Sequence, residues 1–504
     1  MVFTSMLWPQ GAVRAAETAD QAVIEDLNLD QVFAVTGGAE HEAVQYRPLR
    51  DVASVIFRQE VFRDLDNDAL RAVFEAFADG MHSVRRHMDR AGRLTHPRQR
   101  DRWQLDAETV YCRTVREMSA GLQRLSPQST GLREWREWLT GYVDDAAFGD
   151  LTAEVEVVRA ELDAVRYSVQ VTGRQLTVDR AVEQADYSEI IASAFARFRP
   201  DSDPARPPMA DPWPDMNEVE EQVIAAVVEL YPKPFAQLER HTRRYRDFID
   251  ATIARFDVEI RFYLDYLRFA HGLGARGMPF CYPEVTAEFD GIAVEGGFDA
   301  ALGLELAEQR KVAVRNDFRL DGTERVITVT GPNQGGKSTF ARMVGQTAYL
   351  AALGCPVPGT GARIMLPDRV FTHFVREDEI DDPHGALAQE LGRMHDILEL
   401  LTDRSVLVLN ESFSTTTASD AATIGGEVIR RIVERGAMAV YVTFLEELAT
   451  LRPEVVSMVA GVETADDPVR TFRLERRAPD GLAYATALAQ RHGLTYHEIR
   501  ARLR

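Results

Sequence analysis

The sequence is short of cysteine, of long apolar runs and of positive charge, and each shortage closes off a class of protein. Its 504 residues include three cysteines, Cys112, Cys281 and Cys355, far apart and odd in number. No CxxC pair or Cys/His cluster is present, so neither a zinc site nor a disulfide framework is indicated, and a reducing compartment fits. No apolar run approaches the roughly 20 residues that a bilayer-spanning helix needs. The first residues, Met1 to Trp8, lack the basic start of a secretory signal. A cytoplasmic location with no membrane partner is therefore expected. Acidic residues outnumber basic ones by 79 to 58, a net charge of −21. Such a chain has no global electrostatic pull toward nucleic acid. Any DNA contact must come from a local basic patch or from a ring made by two subunits, and the acidity serves mainly solubility.

What is present is organised in stretches, without an internal repeat, over a length that suggests about three domains. Residues 1–45 are weakly patterned. From Val52, apolar residues recur at helical spacing (Val55, Ile56, Val61, Phe62 and Leu65, then Leu70, Val73, Phe74 and Phe77). Helical stretches run to about Arg166, with breaks near Gly92–Pro97 and Ser126–Gly131. Tyr167, Val169 and Val171, then Leu176 and Val178, alternate with polar residues across a turn, which predicts a hairpin. Six prolines between Pro200 and Pro214 exclude a helix and read as a linker or irregular tip. Asn217 and Glu220 then form a capping box. A long helical region follows to about Phe269, interrupted at Pro232-Lys233-Pro234. Beyond Gly274, β-like runs (292–294, 312–314, 326–330, 406–409 and 439–442) alternate with helical ones, the rhythm of a parallel sheet covered by helices.

Val326 to Thr330 reads as a buried strand. Gly331-Pro332-Asn333-Gln334-Gly335-Gly336-Lys337-Ser338-Thr339 follows directly, and a helix follows to about Leu353. Strand, glycine-rich loop and helix form the context that a phosphate-binding GxxxxGK[ST] loop requires. The glycines let backbone N–H groups curl inward at the phosphates, and the helix N-terminus adds positive potential. Lys337 reaches the β- and γ-phosphates of ATP, and the Ser338 hydroxyl ligates Mg²⁺. A second apolar strand, 406–409, ends in Asn410-Glu411. In a P-loop ATPase such a strand presents one group that orients the Mg²⁺ shell and one that accepts a proton from the attacking water. Glu411 is placed for the second role. Asn410 stands in the first, where its amide oxygen can accept from a metal-bound water without adding negative charge.

These residues resemble the MutS family of DNA-mismatch-repair ATPases. The Pro332-Asn333 after the first glycine and the doubled glycine resemble that family's loop far more specifically than the general motif does. Asn316-Asp317, residues 346–358, Ala362 to Ile364, Phe371-Thr372 with Asp378, Asn410-Glu411 with Ser414 to Thr417, and Leu482 to Ala485 resemble its flanking segments, with Thr495 and Glu498 capping the last helix. More weakly, Tyr46 to Leu49, Arg58 to Glu60 and Phe62 to Leu65 resemble the start of its lever helices, and Ile292 to Leu302 the entry to its ATPase domain. The likeness covers about 45–504 and is strong from about 312. It implies an α/β P-loop NTPase of the ABC type preceded by an elongated, mainly helical lever and clamp. The expected division is an N-terminal extension (1–45), a lever/clamp-like domain (46–272) and an ATPase domain with C-terminal helices (273–504). Since the lever-like segment begins near residue 45, a short form without the mismatch-recognition and connector domains, and without a nuclease-like tail, is expected.

The implied function is an ATPase whose nucleotide state controls DNA binding by a dimeric clamp, in repair or recombination. Each ATP site would be completed by the partner's region around Gly385 and Ser414–Thr417. The alternative is a nucleotide-switched scaffold or assembly protein that acts on a protein or RNA and hydrolyses little. Three positions depart from the family: Asn410 replaces an Asp, Phe444 a switch His, and Gly385 a Ser offered to the partner's γ-phosphate. Each removes a polar group near the γ-phosphate, so intact ATP binding with slow hydrolysis is expected. Arg240, His241, Arg243, Arg244 and Arg246 form a basic run that could meet a DNA backbone, but reads better as a solvated face paired with acids. The acidic segment 377–382 reads as a solvent loop. His373, His384 and His395 lack metal-ligand spacing. Trp135, Trp138 and Tyr142, at helical spacing, read as core packing rather than a base-stacking platform.

Overall fold

The structure, a computed structural model, describes residues 3–12, 20–37, 44–173, 175–181, 215–375, 383–462, 470–479 and 499–500. The proline-rich stretch, the acidic segment 377–382, Asp378 within it, Leu482 to Ala485, Thr495 and Glu498 lie outside the described residues, as does the side chain of His384. The chain divides into two units. One is drawn mainly from Ala72–Ser126 and Trp135–Asp257, the other from Phe3–Arg71, Pro127–Glu134 and Val258–Arg504.

The second unit begins with three helices, α1 (Gln21–Asp26), α2 (Leu29–Val35) and α3 (Val52–Leu65). The weakly patterned N-terminal segment is built into its core. Ser5 Oγ and Met6 N donate to the Glu259 carboxylate at 2.8 and 2.6 Å, and Met6 O accepts from Tyr263 Oη at 2.5 Å. Arg58 of α3 is fully buried and donates to the carbonyls of Leu7 (3.0 Å), Gln45 (3.0 Å) and Leu353 (2.9 Å).

The first unit is helical and is drawn from α4 (Asp68–Arg93), α5 (Pro97–Gln123), α6 (Thr130–Val143) and α7 (Ala146–Asp163), a hairpin of β1 (Tyr167–Thr172) and β2 (Gln175–Arg180), then α8 (Glu218–Leu230), α9 (Pro232–Arg244) and α10 (Ala251–Gly274), with Asp68–Arg71, Thr130–Glu134 and Val258–Gly274 of these helices belonging to the second unit. Both early breaks fall where expected. Pro97 opens α5 in its first turn, where its missing N–H is harmless. The hairpin pairs Tyr167 with Arg180 through Thr172 with Gln175. Its apolar side chains are nevertheless exposed, Val171 at 71%, so the alternation marks strands that bury neither face. The Asn217/Glu220 capping box is present on α8. A second interruption, absent from the sequence reading, separates α9 from α10. Asp250 Oδ1 accepts from Thr252 N and Ile253 N at 2.7 and 3.3 Å and starts a new helix.

Trp135 stacks on Phe256 with ring centroids 3.6 Å apart, and Phe74 and Phe77 pack against the same ring. Trp138 and Tyr142 continue the stack, so this stripe is core. The basic run is largely paired with acids. His241 is buried with Nε2 2.6 Å from Glu108, Arg243 meets Glu239 at 2.5 Å, and Arg244 meets Glu154 at 3.0 Å.

These buried ionisable groups give the helical unit a pH dependence. Burial pushes the Asp257 carboxyl up to about 6, only partly offset by its ion pair with Arg85. Burial likewise raises Glu108 and Asp101 against their hydrogen-bond partners. For His241 burial opposes the charge, but Glu108 and Glu154 outweigh it and the net direction is up. Each group keeps its proton to higher pH when folded, so unfolding releases protons and its free energy falls as pH rises. The Asp257 share is fully present below about 4, its unfolded value, and is lost once pH passes about 6. The expected result is that Asp257→Asn removes on the order of 2–3 kcal/mol from the loss of stability between pH 4 and 7. Urea unfolding followed by far-UV circular dichroism measures it, and an unchanged pH slope would refute the assignment.

The rest of the second unit is α/β. Short strands β3 (Phe280–Cys281) and β8 (Val357–Pro358) pair with each other. The strands β4 (Glu284–Thr286), β9 (Gly361–Met365), β5 (Ile292–Gly297) and β6 (Asn316–Leu320) form a small sheet in that order. Helix α11 (Ala300–Glu308) lies between β5 and β6 in sequence. The expected β-run at 312–314 is not a strand: Val312 and Val314 are exposed in an irregular link, and pairing starts at Asn316. The main sheet has order β10-β11-β12-β7-β13-β14, with β7 (Val326–Thr330), β10 (Val370–Phe374), β11 (Val406–Asn410), β12 (Met438–Val442), β13 (Val455–Val462) and β14 (Arg470–Arg476). All neighbours are parallel except β13 and β14. Helices α12 (Lys337–Ala352), α13 (Pro383–Leu400) and α14 (Ala418–Arg435) cover it. Leu407 and Leu409 join a core with Met394 of α13 and Ile429 of α14, while Val408 faces Gly345 of α12. Burial on both faces is why these strands read as continuous apolar runs.

Candidate nucleotide-binding site

The site sits at the carboxyl ends of β7, β11 and β12, where open parallel sheets place ligands. β7 is buried along its whole length and delivers the chain into the loop 331–336. Gly331 has φ +120°, and a Cβ there would lie 2.9 Å from the Ala460 Cβ and 3.1 Å from the Ala460 N on β13. Gly336, at φ +91°, is the residue before α12, and no side chain caps that helix. The first-turn N–H groups of α12 are therefore turned toward the loop without a competing side-chain acceptor, as an anion site needs. Pro332 is half-buried, Asn333 and Gln334 are exposed, Gly335 is buried, and Ser338 and Thr339 are half-buried on the first turn.

Lys337 is buried. Its Nζ donates to Gly331 O at 2.8 Å and approaches Asn333 Oδ1 at 3.3 Å and Pro332 O at 3.5 Å. Burial pulls its pKa down, and the charge of Glu411 opposes that shift. The ammonium and the Glu411 carboxylate thus belong to one electrostatic site.

Asn410 ends β11, two strands from β7, with β12 between them. Its Oδ1 is buried and has no hydrogen-bond partner among the described residues, and the same holds for Thr330 Oγ1 at the end of β7. Two orphaned acceptors beside a phosphate-type loop fit a hydrated cation, because water carried by a metal supplies the missing donors. Glu411 is exposed, and its N–H donates to Val442 O at 3.0 Å. Both Glu411 (φ +53°) and Phe413 (φ +63°) are left-handed. For non-glycine residues this costs of order 1–3 kcal/mol each and persists only where surrounding contacts enforce it. Phe444 follows β12 with 52% of its surface exposed. Gly385 lies in the first turn of α13. In the Ser/Thr stretch, Thr415 Oγ1 donates to Glu390 at 3.2 Å and Thr417 caps α14.

Residues outside the phosphate loop and the Asn410-Glu411 turn also shape the site. Asn316 holds β14 beside the loop: its Nδ2 donates to Phe472 O at 3.1 Å, and its Oδ1 accepts from Leu474 N at 2.8 Å. Phe472 is left-handed at φ +56°, and its side chain lies 3.6 Å from where a Gly336 Cβ would be. His373 and Glu390 are both fully buried behind the Glu411 turn. The spacing of His373 makes it an ordinary surface or hydrogen-bonding residue rather than a metal ligand, and the structure gives it the second of these roles, buried in the core. His395 is exposed.

Comparison with known proteins agrees with this geometry. Residues 327–489 match the family described as MutS domain V. The chain is 29% identical over 247 residues to the DNA mismatch repair protein MutS of Brevibacillus brevis, covering 49% of this chain and 27% of that protein. It is 31% identical over 209 residues to the DNA mismatch repair protein MutS 2 of Halobacterium salinarum, covering 41% and 24%. For the MutS of Myxococcus xanthus the figures are 29% over 296 residues, 56% and 32%. The matched stretch thus spans between a quarter and a third of these relatives and about half of this chain. Residues 327–489 thus resemble MutS domain V, and both the phosphate loop and the strand ending in Asn410-Glu411 lie within that matched stretch.

Proposed function

We propose that this chain binds ATP with Mg²⁺ at residues 331–339, hydrolyses it slowly with Glu411 as general base, and couples its nucleotide state to DNA binding as a dimeric clamp in repair or recombination. The observation that carries the reading is the meeting of the uncapped α12 N-terminus, the buried Lys337 ammonium and the Asn410-Glu411 turn at one end of a parallel sheet. Backbone N–H groups of the loop and Lys337 hold the β- and γ-phosphates. The Ser338 hydroxyl and the Asn410 amide oxygen, the latter through a water, hold the metal. Held there, Mg²⁺ would neutralise the negative charge that develops on the phosphate oxygens. Glu411 accepts a proton from the attacking water as its oxygen bonds to the γ-phosphorus. The bond from that phosphorus to the bridging oxygen breaks, leaving ADP and phosphate.

Two copies would complete each other's sites through the region around Gly385 and Ser414–Thr417. The helices between residues 46 and 272 would act as lever and clamp, with DNA as the ligand by analogy with the DNA mismatch repair relatives. Hydrolysis and fluorescent-nucleotide binding on the wild type, with anisotropy on duplex, mismatched and branched DNA at two salt concentrations, test the reading. The expected result is turnover, together with ATP-dependent DNA binding that weakens as salt rises. A protein that binds ATP without turnover, ignores DNA and carries a protein or RNA partner would instead be a nucleotide-held scaffold. The neutral Asn410 and the exposed apolar Phe444 favour that second reading.

A further inference from the structure

The turn after β11 is held from behind by a buried polar cluster. Ser412 lies between the left-handed residues Glu411 and Phe413 and is itself buried. His373 Nδ1 is 2.8 Å from Ser412 Oγ, which also lies 3.2 Å from His373 O. His373 Nε2 is 3.2 Å from Glu390 O on α13, and the Glu390 carboxylate accepts from Thr415. On the other side, Tyr441 Oη donates to Ser412 O at 3.4 Å. The Phe413 ring is buried against the His373 ring, centroids 5.7 Å apart.

A carbonyl only accepts, so Nε2 carries the proton that goes to Glu390 O. In the neutral ring Nδ1 is then the acceptor, and the Ser412 hydroxyl gives its one proton to Nδ1, the shorter of its two contacts, rather than to His373 O. Ser412 is thereby fixed through its hydroxyl and its carbonyl at once, immediately beside the carboxylate that faces solvent and Lys337. Left-handed non-glycine residues revert to ordinary backbone angles unless something enforces them. Here His373 and Ser412 supply that enforcement from residues that cannot touch the nucleotide themselves.

We propose that His373, acting through its hydrogen bond to Ser412, is a positioning residue that sets the orientation of the Glu411 carboxylate for proton abstraction. The proposal rests on the hydrolytic reading of Glu411. Asparagine places an amide where Nδ1 sits and keeps the Ser412 contact, whereas glutamine reaches only the Nε2 position. Single-turnover ATP hydrolysis, fluorescent-ATP affinity and thermal melting are to be compared for wild type, Ser412→Ala, His373→Asn and His373→Gln. Ser412→Ala and His373→Gln are expected to lower the single-turnover rate by about 10- to 100-fold, the scale of a misplaced catalytic group. Nucleotide affinity should stay within about threefold, and His373→Asn should retain most of the rate. The double variant Ser412→Ala/His373→Gln should lose no more than either single. An active wild type with an equally active Ser412→Ala overturns this inference alone, as does an equal loss in His373→Asn and His373→Gln. A wild type that binds ATP without turning it over overturns the hydrolytic reading and this inference with it.

Discussion

Lys337→Ala is expected to abolish ATP binding at micromolar nucleotide, while Glu411→Gln keeps the nucleotide bound and stops turnover. The difference follows from where the two charges sit. The Lys337 ammonium is buried and lies over the loop's own carbonyls, so it has already lost its hydration before any nucleotide arrives. A phosphate then meets a desolvated cation, and a charge-assisted hydrogen bond of that kind is worth roughly 1.5–3 kcal/mol, about one to two orders of magnitude in affinity. Glu411 is exposed and its side chain makes no hydrogen bond to the described loop residues 331–339, so its removal leaves the phosphate cradle intact. What it removes is the proton acceptor, worth roughly 10²- to 10⁴-fold in the chemical step. Isothermal titration with ATP and single-turnover hydrolysis separate the two. Equal losses of affinity in both variants would mean that Glu411 belongs to the cradle rather than to the chemistry.

Arg58→Ala is expected to destabilise the α/β unit by about 3–5 kcal/mol, the scale of breaking a buried charged network. The guanidinium is fully buried, and burial lowers its pKa. Among the described residues no carboxylate forms an ion pair with it; its charge meets three carbonyls, with its centre 5.3 Å over the Trp8 ring and 5.4 Å over the Phe262 ring. One of those carbonyls, Leu353 O, is at the far end of the helix that begins with Lys337. Truncation leaves a cavity and three carbonyls without this donor. Arg58→Lys should recover only part of the loss, because a point ammonium cannot reach three acceptors that a planar fork spans. Urea unfolding followed by fluorescence measures both variants, and a change below about 1 kcal/mol in Arg58→Ala would show that the surrounding backbone relaxes to replace the arginine.

The helical unit illustrates how far periodicity reaches. The breaks at Pro97 and Thr130, the hairpin turn and the capping box were legible because each depends on residues within a few positions of one another. The break at Asp250 was missed because an N-cap aspartate inside a run of helix-compatible residues carries no signal until the chain turns there. The run at 312–314 misled in the opposite sense: three small apolar residues have strand character, but no neighbouring strand is placed to pair with them.

The phosphate loop, the helix behind it and the strand ending in Asn410-Glu411 were determined by the sequence alone, since glycine spacing and apolar runs act over short range. Tertiary structure alone decided the rest. It placed Ala460 against Gly331, leaving no room for a side chain there. It left Asn410 Oδ1 and Thr330 Oγ1, at the ends of β11 and β7, each buried without a hydrogen-bond partner among the described residues. It brought His373 and Ser412, 39 positions apart in the chain, under the Glu411 turn. It also drew Ser5, Met6 and Leu7 into the core through Glu259 and Arg58. Those contacts join residues tens to hundreds of positions apart, and their energies come from burial and from positive backbone angles, which exist only once the chain has closed on itself.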